Sequence, residues 1–570
     1  MKKQYIILLA AATGMALSSC NDFLDKPELD KMENNPQYWN NESNLQAQTN
    51  RLYNNFSGYG GQTGSFYFDA LNDDQADPAF ADWNTRVVPG ASSTYNNPYI
   101  EIRGCNYIIT NVRNTTLSTE VKNKYEGIAK FNRAYQFYSL VRHYGDVQWV
   151  SDPLATNQTD IIYGPRTDRH IVVDSILRDL DYAIATIGKG SSKSSWSSDA
   201  ALALKADVCL FEGTFCRYRT KADNNLEPNE ERAVKYLNEA VKAAEAILNA
   251  GYTLNPAYGT IYNSIDLSGN SEVIFFKPYS QPEASFGHGT CAYTNSTSTM
   301  KGINKLAFDA FLFRDGEAKA NTTLDTNDEA AADGSIQHLL DVRDKRLGVI
   351  IDPFVGFGGH EGSRYEGCPT LTSSTGYTIR KFYTEALLSV SDGKINDYYL
   401  KTIGQNYTSA PIFYLAPVML AYAEAKAELG TISKTDLDLT VNKLLDRAGL
   451  PAMTMSPKHD PANNHGVSDL LWEIRRCRRC ELMLDNFRYW DLVRWHQLDK
   501  LDTEKYPELF YGANVTNVPN IKPDLVTVTN GYIHSTPDAK RVYEYKYYLD
   551  PIPSGQISLN ENLGQNYGWK

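Results

Sequence analysis

Apolar side chains recur every three or four residues along several long stretches of the chain. Between Tyr125 and Tyr144 this stripe consists of Ile128, Phe131, Tyr135, Tyr138 and Val141. Such spacing places the stripe on one side of an α-helix. The segment is therefore predicted to be a helix that packs one face against a partner helix.

Three further segments combine helical spacing with small residues. They are Ala200 to Tyr218, Glu231 to Ala250 and Ile412 to Leu429, and the last two are followed by Gly251 and Gly430. A glycine just after the last periodic residue is typical of a helix C-cap. Alanines at helical spacing let helices approach closely, as they do in tetratricopeptide-type helix pairs. A mainly α scaffold of stacked helix pairs is predicted.

Long stretches rich in Gly, Asn, Asp and Ser separate these helical blocks. They run from Ser57 to Pro98, from Gly251 to Asn304 and from Asp315 to Lys401, with a short strand-like run at Glu272 to Phe276. Loops of this length in a compact protein are usually functional. The scaffold is thus predicted to carry large, loop-rich α+β insertions.

The first residues have the pattern of an exported bacterial lipoprotein. Two lysines precede the apolar run from Ile6 to Leu17, which is too short to span a bilayer but suits an export signal. Small residues then precede Cys20. Residues 1–19 are predicted to be a cleaved leader, Cys20 the acylated first residue, and residues 20–30 a polar tether.

The charge of the chain argues against nucleic acid as a partner. Removing residues 1–19 takes away two lysines and no acids, which leaves 54 basic against 68 acidic residues and a net charge of −14. The most basic stretch, Arg475 to Arg479, also carries acids and apolar residues close by. A solvated or ion-paired helix face explains it better than a nucleic-acid site.

The sequence contains none of the common motifs of nucleophilic, nucleotide or zinc-dependent catalysis. Its nine histidines have no metal-ligand spacing, and the C-x-x-C of Cys477 and Cys480 lacks a second pair. We therefore expect no catalysis, no cofactor and no metal. A surface glycosidase stays an alternative, because its two catalytic carboxylates can lie far apart in the sequence and so form no recognisable motif. A structural or adhesive helical-repeat protein is the other alternative.

Tyrosine and aspartate supply the candidate binding chemistry. The 38 tyrosines are about twice ordinary usage, and a ring with a polar tip can stack on a sugar while bonding its hydroxyls. The loop Asn72 to Asp82 contains four aspartates. Solvation, ligand contact and metal binding are all open for this loop.

A series of motifs resembles the RagB/SusD family of starch-utilisation-type outer-membrane lipoproteins. In chain order they are DVRDKRL (341–347), GYTIRKF (376–382), FYLAPVMLAYAEAKA (413–427), VNKLLDRAGLP (441–451), RYWDLVRW (488–495), YYLDPIP (547–553) and NENLGQNYGW (560–569).

The resemblance implies a SusD-like fold of four tetratricopeptide-like helix pairs. It divides the mature chain into an N-terminal region, residues 31–270, and a C-terminal region, residues 271–570, whose loop-rich insertions hold the glycan. It also implies an oligosaccharide ligand and a SusC-like TonB-dependent transporter, over which the lipid-anchored protein closes at the outer face of the outer membrane. Chain length and the segment Lys26 to Phe56 are most similar to a levan-binding, fructan-locus homologue.

Site residues are expected in the loop after the first mature helix and in loops of the middle region, as the resemblance implies. In the first loop Trp83 is predicted to stack on a sugar at the surface, beside Asp82 and Arg86. Charged groups bond sugar hydroxyls strongly. The remaining candidates are Asp69, Asp73, Asp74, Tyr293, Arg364 and Tyr365.

Overall fold

The computed structural model describes residues 35–60, 64–68, 71–77, 83–219, 227–280, 287–295, 301–364 and 371–570. Its helices are α1 Pro36–Trp39, α2 Glu42–Asn50, α3 Ser93–Arg113, α4 Thr119–Tyr144, α5 Thr159–Ile162, α6 Arg169–Thr186, α7 Ser198–Tyr218, α8 Glu230–Leu248, α9 Thr260–Asn263, α10 Thr290–Thr294, α11 Lys305–Ala310, α12 Gln337–Asp341, α13 Leu347–Ile350, α14 Tyr398–Lys401, α15 Leu415–Glu428, α16 Lys434–Leu439, α17 Val441–Arg447, α18 Asp469–Glu481, α19 Arg488–Arg494 and α20 Ser554–Leu559.

The strands are short. They are β1 Gln75–Ala76, β2 Val273–Lys277, β3 Gly302–Ile303, β4 Ile351–Val355, β5 Tyr377–Ile379, β6 Ser389–Ser391, β7 Lys394–Asn396, β8 Ala410–Tyr414, β9 Tyr511–Asn514, β10 Val528–Thr529 and β11 Tyr532–His534. Antiparallel pairs form between β1 and β3, β2 and β8, β4 and β5, and β6 and β7, while β10, β11 and β9 form a three-stranded sheet.

The long helices stack one on the next, which confirms the predicted mainly α scaffold. Helix α3 packs on α4, α4 on α6, α6 on α7, α7 on α8, α8 on α15, and α15 on α18. Where α7 meets α8 the approach is close, because a Cβ on Gly213 would lie 2.7 Å from Cγ of Leu237. Small residues at this contact allow the close approach of paired helices that the sequence pattern predicted.

Local signals explain where these helices begin and end. Ser118 caps α4 by accepting a hydrogen bond from the Val121 amide, and Gly145 follows the last turn with φ +73°. Asn229 caps α8 in the same way through the Arg232 amide. Side-chain acceptors at the N-cap satisfy backbone donors that the helix leaves unpaired, and glycine tolerates positive φ beyond the end.

Buried apolar side chains of the described residues form two large clusters. One lies around β4, β5 and α15 and includes Phe308, Tyr377 and Leu420. The other lies around α4 and α7 and includes Ile128 and Leu204. Both clusters combine residues from either side of position 270. No helix in the described part of the chain is long and apolar enough to cross a membrane.

Candidate functional site

Trp83 lies in the hydrophobic core. Its side chain is 1% exposed, and its ring stacks on Tyr547 with 4.8 Å between ring centroids. The Tyr547 hydroxyl donates to the Trp83 carbonyl at 3.1 Å. Arg86 pairs with Asp550, also from the C-terminal segment, at 2.5 Å. The prediction of a surface sugar platform at Trp83 and Arg86 is wrong, because the distant C-terminal segment covers this part of the loop.

Asp73 and Asp74 also point inward. The Arg488 guanidinium donates to both Asp73 oxygens at 2.6 and 2.8 Å, and Nε of Arg479 donates to Asp74 Oδ1 at 2.6 Å. Burial raises the pKa of Asp73, but Arg479 and Arg488 outweigh burial and hold that pKa below its usual range. These carboxylates tie the loop to α18 and α19, contrary to the prediction that they accept bonds from sugar hydroxyls.

Four predicted positions lie outside the described residues. They are Asp69, Asp82 and Tyr365 of the candidate glycan site and the acylation site Cys20. They remain predictions.

Tyr293 lies with its ring against Phe68. The ring centroids are 5.3 Å apart with the planes at 90°, and both side chains are half-buried. Next to them Lys301 donates to the Phe68 carbonyl at 2.6 Å and pairs with Asp77 at 2.9 Å. We refer to Phe68, Asp77, Tyr293 and Lys301 as the loop surface. It joins a predicted residue, Tyr293, to three residues that sequence reasoning did not select.

The loop surface rests on a fixed base. Strands β1 and β3 pair Gln75 with Ile303, which places Asp77 and Lys301 side by side. Helix α10 carries Tyr293, and its Cys291 thiol donates to the Phe382 carbonyl at 3.0 Å. Burial raises the pKa of that thiol to about 12. The cysteine is therefore neutral and serves packing.

Arg364 is bonded to the protein segments that support the loop surface. Its side chain is 5% exposed, donates to Asp352 at 2.8 Å through Nε, and also donates to Asn295, two residues beyond Tyr293. Its guanidinium carbon lies 5.0 Å from the centroid of the Tyr383 ring. Contrary to the prediction of ligand contact, Arg364 connects the end of α10 to the β4–β5 sheet and faces protein.

A group of possible metal ligands occurs elsewhere in the described residues, at His170, Glu212 and Cys216. Arg169 donates to Glu212 through Nε and Nη2, each at 2.8 Å, so that the carboxylate is already neutralised. Burial raises the pKa of Cys216 and lowers that of His170. A cation beside the Arg169 guanidinium is unfavourable, and the arrangement is that of a buried ion pair.

The loop surface offers the chemistry that a saccharide needs. Half-buried rings present an apolar face, and an adjacent carboxylate and ammonium present an acceptor and a donor for hydroxyls. The sequence signal for Phe68 and Asp77 was the aromatic and acidic composition of their loop. For Lys301 there was no signal, because its place depends on the pairing of β1 with β3.

Comparison with known proteins identifies the family of the chain. A model of the SusD family matches residues 271–569, and a model described as starch-binding and associating with the outer membrane matches residues 22–210. A SusD-like protein P2 from Formosa agariphila is 25% identical over 473 residues, which cover 80% of this chain and 76% of the relative.

Solved structures show the same fold. A SusD-like carbohydrate-binding protein from Bacteroides fragilis has a TM-score of 0.67 at 20% identity, covering 92% of this chain and 99% of the other. The surface glycan-binding protein A from Bacteroides fluxus has a TM-score of 0.59 at 16% identity, covering 93% and 100%. With a family model matched over more than half of its length, the chain belongs to the SusD family, a family of carbohydrate-binding proteins associated with the outer membrane.

Proposed function

We propose that the protein captures oligosaccharides at the loop surface and hands them to a SusC-like TonB-dependent transporter without cleaving them. The observation that carries the proposal is the half-buried pair of Phe68 and Tyr293 beside the Asp77–Lys301 ion pair. Family membership supports a glycan ligand, and the resemblance to SusD-type lipoproteins supports the transporter.

Binding without hydrolysis agrees with the carboxylates nearest the loop surface. Asp77 pairs with Lys301, and Asp352 pairs with Arg364. A glycosidase needs one carboxyl group that holds a proton and another that attacks or activates water. Each of these two acids is instead held in an ion pair with a neighbouring cation. Chromatography after incubation with a fructan or starch oligosaccharide should return the intact ligand.

Fructan is the glycan that we propose to test first, with starch as the comparison. Its support is the similarity of chain length and of the segment Lys26 to Phe56 to a levan-binding homologue. Asp69, Asp82 and Tyr365 stay in this proposal as further ligand contacts. Asp69 follows Phe68 directly and Tyr365 follows Arg364, so both are next in the chain to residues of this region.

Removing the Tyr293 ring should weaken binding of a recognised glycan. In the soluble Cys20→Ala background, Tyr293→Ala should cost about 2 kcal/mol of binding free energy, or roughly thirtyfold in affinity, as for aromatic hot spots. Tyr293→Phe keeps the ring and should bind within about threefold of the parent. Calorimetry with fructan and starch oligosaccharides measures the affinity of both variants.

The matched control is Tyr163→Ala, because the Tyr163 side chain is 51% exposed and lies after α5. It should leave affinity unchanged. Equal affinity of Tyr293→Ala and the parent, with unchanged melting temperature, would remove the loop surface as the ligand site.

We also propose that residues 1–19 are a leader and that acylated Cys20 anchors the protein through the tether of residues 20–30. In cells that lack the partner transporter, Cys20→Ala should move the protein from the membrane fraction to the soluble fraction, since the acyl chains provide the anchor. Fractionation and immunoblotting measure this, with Cys105→Ala as the control. A Cys20→Ala protein that stayed with the membrane would contradict the anchor.

A further inference from the structure

A cavity of about 540 Å³ lies between α18, the segment from α19 to Lys500, and the loop after α11. Its volume is in the range of small-molecule sites. One wall is a single face of α18, because Trp472, Arg475, Arg476 and Arg479 recur at helical spacing. None of the residues of the loop surface lines this cavity.

Cations outnumber anions in the wall. Its carboxylates are already paired: Asp73 with Arg479 and Arg488, Asp460 with Arg476, and Asp309 with Lys305. The wall contains six cationic side chains against three carboxylates, and the cations are Lys319, Arg475, Arg476, Arg479, Arg488 and Lys500. Carboxylates outside the lining also pair with Lys319, Arg475, Arg476 and Arg479, so Lys500 is the cation of the wall that makes no ion pair in the described part of the chain.

Lys500 has no counter-ion among the residues that the structure describes. Its Nζ lies 5.0 Å from the centroid of the Trp472 ring. Burial, together with Arg488, Arg479 and Arg475, lowers the pKa of Lys500 to about 7, although Asp73 opposes the shift. A half-buried ammonium beside guanidinium groups is unfavourable unless an anion compensates it.

Two nitrogens of the Arg475 guanidinium lack acceptors in the described part of the chain. Its side chain is 4% exposed and its Nη2 donates to Glu428 at 2.7 Å, but Nε and Nη1 make no hydrogen bond. The nearest carboxylate oxygen to Nε, from Glu424, is 3.6 Å away. Buried donors are normally satisfied, so unpaired donors in a cavity wall indicate a place for an acceptor.

The same wall contains aromatic surface. Trp472, Trp495 and Tyr506 line the cavity together with apolar residues such as Leu306 and Ala310. An inorganic anion has no apolar surface to pack against rings and methyl groups. An acidic sugar has both an oxyanion and an apolar C–H face. Charge and aromatic lining together therefore favour a charged saccharide unit.

We propose that this cavity binds an acidic sugar unit whose carboxylate or sulfate group pairs with Lys500 and Arg475 while its ring lies against Trp472. The inference rests on the proposed glycan-binding function and assigns to it a charged class of saccharide. A bidentate or charge-assisted contact to the guanidinium supplies orientation as well as attraction.

The test compares Lys500→Met with its parent, both full-length chains carrying Cys20→Ala. Calorimetry uses a galacturonic acid disaccharide, a glucose disaccharide carrying one sulfate, a neutral glucose disaccharide, sodium acetate and sodium sulfate. The parent should bind one of the two acidic disaccharides. Lys500→Met should weaken that binding about tenfold to a hundredfold, as expected for a hydrogen bond to a charged group. Lys500→Arg should keep most of it.

The matched control is Lys505→Met, an exposed lysine that does not line the cavity. It should bind as the parent does. The melting temperature of Lys500→Met should equal or exceed that of the parent, because the change removes a half-buried charge that makes no ion pair. Loss of binding without loss of stability separates a ligand contact from a structural role.

The outcomes that would contradict the acidic-sugar site differ from those that would contradict the proposed glycan-binding function. Acidic disaccharides that bind neither parent nor variant, or that bind Lys500→Met as tightly as the parent, overturn this inference. If the fructan or starch oligosaccharide still binds through Tyr293, the proposed function stands. Acetate or sulfate binding as tightly as the acidic disaccharides would overturn the saccharide assignment. Binding of no saccharide at all would overturn both proposals.

Discussion

Replacing Trp83 by alanine should lower the free energy of unfolding by about 3–5 kcal/mol, the usual cost of removing a large buried aromatic side chain. The ring is 1% exposed, belongs to the cluster around α4 and α7, and stacks on Tyr547. In a chain of this length that loss should lower the melting temperature by only about 2–4 °C, because the shift is the free-energy loss divided by the unfolding entropy, which grows with the number of residues.

Two further variants test whether the loss of stability comes from the buried ring of Trp83. Trp83→Phe keeps a ring against Tyr547 and should recover part of the loss. Val87→Ala, at a side chain that is 77% exposed, should change stability by about 0.5 kcal/mol or less. Scanning fluorimetry compares all three with the parent. Glycan affinity of folded Trp83→Ala should be unchanged, whereas lost affinity at an unchanged melting temperature would return Trp83 to the ligand site.

Replacing Glu424 by alanine should also cost about 3–5 kcal/mol, because it breaks a buried ion pair and leaves cations without compensation. Arg494 donates to the two Glu424 oxygens, each at 2.7 Å, and Trp495 Nε1 donates to Oε1 at 2.7 Å. The carboxylate thus joins α15 to α19. Denaturation at pH 7 should show the loss, with Glu245→Ala, an exposed position on α8, as the unchanged control.

The loss should depend on pH. Burial raises the pKa of Glu424, but Arg494, Arg475 and Arg478 outweigh burial and lower it to about 2, against 4.5 for the free group. A carboxylate whose pKa is lowered by folding contributes stability above its unfolded pKa and loses that contribution as pH falls towards the folded value. The gap between parent and Glu424→Gln should therefore narrow between about pH 4.5 and pH 2. A gap that stayed constant would contradict the charged pair.

The helical part of the fold was readable because its signals are local. The segment predicted as Glu231 to Ala250 is α8, Glu230–Leu248, with Gly251 at φ +92° just beyond it. The segment from Ile412 to Leu429 was only partly right. Its first residues form β8, and the helix begins at Leu415, because β2 offers a strand partner that helical periodicity does not reveal.

The candidate binding site was harder to predict for a physical reason. Trp83 and Tyr293 both lie in stretches of sequence rich in polar residues, and nothing in their neighbours along the chain distinguishes them. The C-terminal segment covers Trp83, while the Tyr293 ring stays half-buried on Phe68. Asp73 and Asp77 also differ in their surroundings. Asp73 pairs with Arg488 in the interior, whereas Asp77 pairs with Lys301 nearer the surface.

By itself, the sequence determined the mainly α scaffold, the positions of α4, α7 and α8, and membership of the SusD family. Periodicity, caps and motif order express interactions between residues close in the chain or shared by a whole fold. Only the tertiary structure decided which aromatic and charged side chains are buried and which stay exposed. Trp83 meets Tyr547, and Lys500 lies over the ring of Trp472, through contacts between distant segments. Exposure and the pairing of charges depend on such contacts, and no local pattern encodes them.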